Sequence, residues 1–220
     1  MGQRKVVLKE QLFYHVFSRS IEGFEIFRTE SEYQRMIDAL CFYRHKRPDG
    51  TLGLSHALQT VESSRSWRVG SGRGIPRVRV VAYCIMPTHI HLFLEQKTKN
   101  GISEFMRLIL NSYARYFNLK IGREGPLWAS RFKCVPVETD EQALHLSRYI
   151  HLNPCSAGLV SGPEAWKYSS YEEYIGGASD DCLCDFKQVV DLQGTRYQRF
   201  VEDRVDYQRS LQAIKAQLLD

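Results

Sequence analysis

Two short apolar runs separated by a tight turn constrain this chain most: Val78–Ile85 (VRVVAYCI) and His89–Glu95 (HIHLFLE), with Met86-Pro87 between them. Their length and their content of branched and aromatic residues predict two strands. What flanks the pair narrows the fold. Upstream, Leu12–Ser18 (LFYHVFS) reads as a first strand. Thr29, with Glu32 three residues on, then reads as N-cap and capping-box partner of a helix running to about Lys46. That helix carries Tyr33, Met36, Ile37, Leu40 and Tyr43 at helical spacing, and Pro48-Asp49-Gly50 breaks it. Downstream, Gly101–Leu119 places Ile102, Phe105, Met106, Ile109, Tyr113 and Phe117 on one helical stripe, and Phe132–Val137 reads as a last strand. Strand, helix, two strands, helix, strand predicts an α+β protein: a ferredoxin-like βαββαβ antiparallel sheet with helices on one face.

The rest of the chain attaches to that core. Asp140 is expected to N-cap a further helix that reaches about Leu152 and is stopped by Asn153-Pro154. Residues 51–76 read as an insertion, with Leu54–Val61 a candidate strand and Ser63–Gly74 a Ser/Gly/Arg loop. In that loop Arg65, Trp67, Arg68 and Arg73 read as a solvated segment in preference to a DNA-binding arm. After Gly176 the composition changes, and a helical run from about Tyr197 to Leu218 is expected. The organisation is therefore a catalytic domain over residues 1–178 and a mostly helical extension over 179–220. There is no internal repeat.

Lys and Arg number 30 against 25 Asp and Glu, a net charge of +5 and a pI near 8.9, which permits a polyanionic partner without demanding one. Location says more. Between Lys97 and Val135 eight cations face two anions, whereas Asp180–Asp220 holds six cations and eight anions. A polyanion is therefore expected to dock mid-chain. The six cysteines are irregularly spaced and lack the paired spacing of a zinc site, so they read as core fillers in a reducing compartment. No secretory leader and no run of about 20 apolar residues is seen, which points to a cytoplasmic protein without a membrane partner.

His89-Ile90-His91 carries the sharpest chemical signal. Alternation along a strand puts both imidazoles on one face and Ile90 on the other, a half-site for a divalent metal. The competing reading is two polar residues on a partly exposed sheet face. Tyr149 and Asn153 stand at i and i+4 of the helix predicted after the last strand, on one side. Tyrosine can act as a covalent nucleophile and the Asn amide oxygen is a hard ligand. Tyr149 as a core aromatic and Asn153 as a helix C-cap before Pro154 are the competing readings. Taken together, the four residues make a site for in-line phosphoryl transfer to tyrosine, with the intervening cations holding phosphates.

Met86-Pro87 before His89-Ile90-His91, and Arg148–Pro154 (RYIHLNP) followed by Ala157-Gly158-Leu159-Val160, resemble the REP-associated tyrosine transposases, relatives of the smallest single-tyrosine transposases. Tyr14-His15-Val16, Gly125-Pro126-Leu127-Trp128, Arg131-Phe132-Lys133 and Trp166–Tyr171 (WKYSSY) match as well, so the resemblance spans roughly residues 11–176. It implies the ferredoxin-like HUH fold, with His89, His91 and Asn153 as ligands of Mg²⁺ or Mn²⁺. It also implies Tyr149 as the nucleophile, leaving a 5′-phosphotyrosine and a free 3′-OH. The partner would be single-stranded or hairpin DNA of repetitive extragenic palindromes, with no small-molecule cofactor, and the chain would act as a monomer in the bacterial cytoplasm. Thr88 replaces the family's usual Asn, Ser20 a usual Gly, and Cys155-Ser156 a usual Val-Arg pair. These departures bear on DNA specificity and touch none of the implied ligands.

Trp128, Arg131, Lys133, Arg115 and Arg148 are candidate DNA contacts, Trp128 equally a packed core residue. Tyr113 and Tyr116 are rival nucleophiles, of which Tyr113 falls in the apolar stripe and reads as core. His151, two residues past Tyr149, lies on another side of the helix, where DNA contact or capping suits it better than ligation. His15, His45, His56 and His145 carry no signal. Two other functions fit the same sequence: a DNA- or RNA-binding domain without chemistry, and a replication initiator or relaxase. The intact His89, His91, Tyr149 and Asn153 set favours an enzyme, and a tyrosine far from the N-terminus argues against a relaxase.

Overall fold

A computed structural model describes residues 7–46, 74–177 and 183–204. The expected strand at Leu54–Val61, the arginine loop and the helical run beyond residue 204 lie outside them.

Four strands form one antiparallel sheet: β1 (Phe13–Arg19), β2 (Val78–Met86), β3 (His89–Gln96) and β4 (Lys133–Val137), in the order β2-β3-β1-β4. With α1 (Glu30–Tyr43) after β1 and α2 (Gly101–Ile121) after β3, this is the ferredoxin-like βαββαβ arrangement. In the centre of the sheet, alternation sorts the side chains. Tyr14, Val16, Ile90, Leu92 and Leu94 point to one face and are sealed from solvent, and α1 and α2 pack together to complete that core. The runs of β2 and β3 are buried almost throughout, on both surfaces of the pleat, whereas β1 alternates buried with partly exposed residues. His15, Phe17, Arg19, His89 and His91 point to the other face.

At the edge of the sheet, β2 is apolar apart from Arg79, and its outer rim is occupied as well. Ile85 N donates to Tyr168 O (2.9 Å), Ser170 N to Tyr83 O (3.0 Å) and Asp185 N to Val80 O (2.9 Å). The chain thus covers its own open strand edge.

Glu32 joins the two core helices. Its Oε2 accepts from the backbone N–H of Thr29 at 3.0 Å, as the capping-box reading expects, and its Oε1 pairs with Lys120 of α2 at 2.9 Å. Burial pulls its pKa upward, but Lys120 and the backbone N–H groups of Arg28 and Thr29 outweigh that and hold it at about 2. Carboxylate and ammonium therefore stay charged together where the helices meet.

The helix after β4, α3 (Asp140–Ser156), departs from expectation at both ends. Its N-cap is Thr139, whose Oγ1 accepts from Gln142 N at 3.1 Å; Asp140 is the first helical residue. Its C-terminus passes Asn153 and Pro154. A proline in the last turn removes one bond, yet Gly158, at φ 70°, closes the helix four residues later. Gly158 N donates to Cys155 O and Leu159 N to Pro154 O, a Schellman closure. Asn153 is therefore an interior helical residue and the C-cap is Ala157, which removes the capping reading of Asn153.

Two short helices follow, α4 (Tyr171–Ile175) and α5 (Gly194–Glu202). Residues 183–204 belong to the packed body: Tyr197 is fully buried against α3, and Phe186 stacks on Tyr174 with ring centroids 3.7 Å apart. No helix among the described residues is long and apolar enough to cross a membrane.

Candidate active site

The register of β1 against β3 builds the site. His91 lies opposite Phe17 and His89 opposite Arg19, so His15, two residues back on β1, projects beside His91 on the same face. His15 Nε2 is 3.0 Å from His91 Nδ1, and the two rings meet edge to edge in nearly parallel planes, with centroids 5.2 Å apart. On the other side of His91 the His89 ring stands edge-on at 4.9 Å, with its Nδ1 2.9 Å from Thr88 Oγ1. Each ring of the His-x-His pair thus engages a neighbour through Nδ1, both residues line the cleft, and neither Nε2 has a partner among the described residues.

Over this surface α3 lays Tyr149. Its ring meets His15 and His91 edge-on, with centroids 5.9 and 5.6 Å away. Tyr149 is 43% exposed, whereas Tyr113, Tyr171, Tyr174 and Tyr197 are all sealed in the core. One turn on, Asn153 Nδ2 donates to Tyr149 O at 2.8 Å, leaving the amide oxygen without a partner among the described residues. A cleft of roughly 490 Å³ is lined by these groups together with Arg19, Arg131 and Lys133.

Burial sets the charge state of the imidazoles. Desolvation lowers His15 and His89 to about 4 and His91 to about 2; Arg19 adds to the effect on His89, and His89, His15 and Arg19 add to that on His91. All three are neutral at pH 7 and offer lone pairs. Among the described residues no group of three His, Cys, Asp or Glu could enclose a metal by itself. Two imidazole nitrogens and one amide oxygen instead suit an open divalent site, whose remaining positions go to substrate oxygens and water. The Nδ1 contacts of both histidines are the outer partners that metal-binding imidazoles use. The donor set suits a divalent cation and does not by itself separate Mg²⁺ or Mn²⁺ from zinc or nickel.

His89, His91, Tyr149, Asn153, Arg131 and Lys133 therefore converge on one cleft. Three other candidates lie elsewhere. Trp128 donates its indole N–H to Leu110 O at 3.0 Å and packs beside Phe27 and Tyr113, bordering an adjacent groove that shares Arg131 with the cleft. Arg115 is exposed on α2 and does not line the cleft. Arg148 points to α5: its guanidinium lies 4.1 Å over the Phe200 ring and bonds His145 Nδ1 and Phe200 O. The mid-chain cations are partly spent on structure too, since Lys97 pairs with Glu95 and Lys120 with Glu32.

Both rival tyrosines are set apart from the cleft. Tyr113 is buried with its hydroxyl donating to Ile26 O, and Tyr116 sits beneath Arg35 and Lys120. His151 neither caps nor reaches the surface. It is sealed in the core, with Nδ1 2.7 Å from Tyr197 Oη and Nε2 2.8 Å from Ser170 Oγ. The residues that sequence reasoning missed are His15, Thr88 and Arg19. Alternation in LFYHVFS set His15 apart from Tyr14 and Val16, but only the pairing register brings it to His91.

Residues 75–153, which run from just before β2 through Asn153 of α3, match the family model described as "Transposase IS200 like". The resemblance to the REP-associated tyrosine transposases holds in particular. A Haemophilus influenzae protein named as a REP-associated tyrosine transposase is 31% identical over 106 residues, covering 43% of this chain and 60% of that protein. The match thus spans less than two thirds of the relative's length. Among solved structures, a REP-associated tyrosine transposase bound to a REP hairpin superposes with a TM-score of 0.56 at 15% identity, over 84% of this chain and 93% of that one. The shared fold is the same ferredoxin-like sheet. A Deinococcus radiodurans protein named as a transposase gives a TM-score of 0.36 at 18% identity over 68% of this chain and 95% of that one.

Proposed function

We propose that this chain is a metal-dependent, site-specific endonuclease and strand transferase acting on single-stranded DNA hairpins through Tyr149. One observation carries the reading. A solvent-accessible phenol stands against a neutral imidazole pair, in a cleft whose rim is Arg19, Arg131 and Lys133. The relative of the same fold bound to a REP hairpin supports hairpin DNA as the partner.

In this scheme Arg131 and Lys133 hold backbone phosphates beside the cleft. The phenolic oxygen of Tyr149 attacks phosphorus in line. A Tyr–O–P bond forms and the P–O3′ bond breaks, giving a 5′-phosphotyrosine and a 3′-OH. The phenol surrenders one proton and the leaving oxygen takes up one, so the step needs no oxidant and no nucleotide. His89, His91 and Asn153 would hold Mg²⁺ or Mn²⁺, which supplies charge neutralisation at the non-bridging and leaving oxygens. Resolution of the phosphotyrosine by a second 3′-OH would join strands. The chain would work as a monomer in the bacterial cytoplasm.

Incubation of the full chain with short hairpin oligonucleotides carrying single-stranded flanks, with Mn²⁺, tests this. A covalent protein–DNA adduct on a denaturing gel, abolished by chelator, is the expected result. Tight hairpin binding with no adduct under any metal condition would leave a binding domain without chemistry.

A further inference from the structure

We infer that His15 is a positioning residue that accepts a hydrogen bond from His91 Nδ1–H and thereby fixes His91 in the form whose Nε2 lone pair faces the cleft. The inference rests on the proposed metal site. Its starting point is the 3.0 Å approach of His15 Nε2 to His91 Nδ1. Only two neutral arrangements of such a pair exist. If His15 carried the shared proton, His91 Nδ1 would be the acceptor, its proton would sit on Nε2, and no lone pair would remain for a ligand in the cleft. If His91 carries it, Nε2 is free to bind and His15 is the acceptor.

His89 shows the same pattern by other means. Its Nδ1 lies 2.9 Å from Thr88 Oγ1, a hydroxyl that can accept. The two rings of the His-x-His pair are thus oriented by different neighbours: one local and adjacent in sequence, the other across two paired strands. Geometry also ties His15 to orientation. Its ring is held in a cluster with Phe17, at 5.1 Å, and His91, at 5.2 Å, which also adjoin each other at 5.9 Å, and Tyr149 stands edge-on at 5.9 Å. Rotation of the His15 ring would meet one of the three. An imidazole locked in this way holds its acceptor lone pair in a fixed direction, as outer partners of metal-binding histidines do.

The test compares wild type, His15→Phe and His15→Gln as full-length protein without DNA. Phe keeps the aromatic packing and removes the acceptor; Gln keeps a side-chain oxygen that can accept. Two readouts are used. Long-range ¹H–¹⁵N spectra of the imidazoles report the tautomer of His91 with no metal added, and disappearance of the free Mn²⁺ electron paramagnetic resonance signal reports affinity. In wild type His91 should be the Nδ1–H form. In His15→Phe that form should be depleted and the Kd for Mn²⁺ should rise by about 10- to 100-fold, with His15→Gln recovering much of both. If His91 keeps its Nδ1–H form in His15→Phe, or Mn²⁺ affinity stays within about twofold of wild type, the inference fails. Should wild type bind no Mn²⁺ at all, the proposed metal site fails instead, and the tautomer spectra alone still decide the role of His15.

Discussion

Helix α3 presents a tyrosine–histidine assembly on each of two sides, and they differ in what surrounds them. On one side Tyr149 stands over His15 and His91 in an open cleft. On the other, His151 sits between Tyr197 and Ser170, and Tyr197 donates onward to Ser147, all sealed from water. Residue types are nearly the same. The inner cluster is saturated: both ring nitrogens of His151 are engaged, and its hydroxyls have partners. The outer cluster leaves two imidazole nitrogens, one amide oxygen and one phenol unspent. Spare bonding capacity in a reachable place separates a reactive constellation from a structural one.

The largest expected contrast comes from removing one oxygen on each side. Tyr149→Phe should form no adduct with hairpin DNA while keeping its stability within about 0.5 kcal/mol, because an exposed hydroxyl contributes little to folding. Tyr197→Phe should show the reverse: adduct yield near wild type, with unfolding free energy reduced by about 1–2 kcal/mol, since the partners of a buried hydroxyl are stranded. Denaturing gels and urea titrations check the pair. Equal failure of adduct formation in both would erase the distinction.

His151 sharpens the comparison through pH. Burial lowers its pKa from 6.5 to about 3. The unfolded chain takes up a proton near 6.5 that the folded chain refuses until about 3. This residue's contribution to stability is therefore intact above 6.5 and declines as pH falls through that window. Each such proton steepens the decline by about 1.4 kcal/mol per pH unit. Replacing His151 with Leu should cost about 1–2 kcal/mol at pH 7, since Tyr197 and Ser170 each lose one of their buried hydrogen bonds, and flatten the decline between pH 6 and 4 by about one proton. Urea midpoints measured across that range check this, and an unchanged slope would place His151 in contact with water.

Asn153 offers a smaller effect on the open side. Asn153→Ala should raise the Mn²⁺ concentration needed for cleavage and be relieved by excess Mn²⁺, whereas Asn153→Asp should keep or tighten metal binding by supplying a charged oxygen in the same place. Metal titrations that overlay for all three proteins would remove Asn153 from the ligand set. Smallest of all is the share of Arg131 and Lys133. Neutralising both should lower the salt dependence of single-strand binding by about 0.7 in log–log slope for each phosphate that no longer meets a cation. An unchanged slope would move the strand's path away from the cleft rim.

Legibility in the sequence followed the range of the forces involved. The strands Val78–Met86 and His89–Gln96, the stripe of α2 and the Glu32 cap rest on neighbours within a few residues, and periodicity found them. His89 with His91, and Tyr149 with Asn153, were likewise visible as same-face pairs, the second only because α3 outlasts Pro154. Pro154 looked like a stop because proline's local cost is easy to see, while the closure at Gly158 lies beyond it. His15 was invisible as a site residue because its partner is 76 positions away and reached only through strand register. The burial of His151 and the turning of Arg148 depend on α5, which docks from still further along the chain.

The rim of β2 has a consequence for how this molecule is made. Its hydrogen-bonding groups find their mates at Tyr168, Ser170 and Asp185, more than eighty residues after the strand itself emerges. During synthesis from the N-terminus, β2 can pair with β3 at once but must wait, with one side bare, for its own sequel. In that interval the nascent sheet is open to any other extended peptide, a hazard that ends only when the last third of the chain arrives to occupy the place.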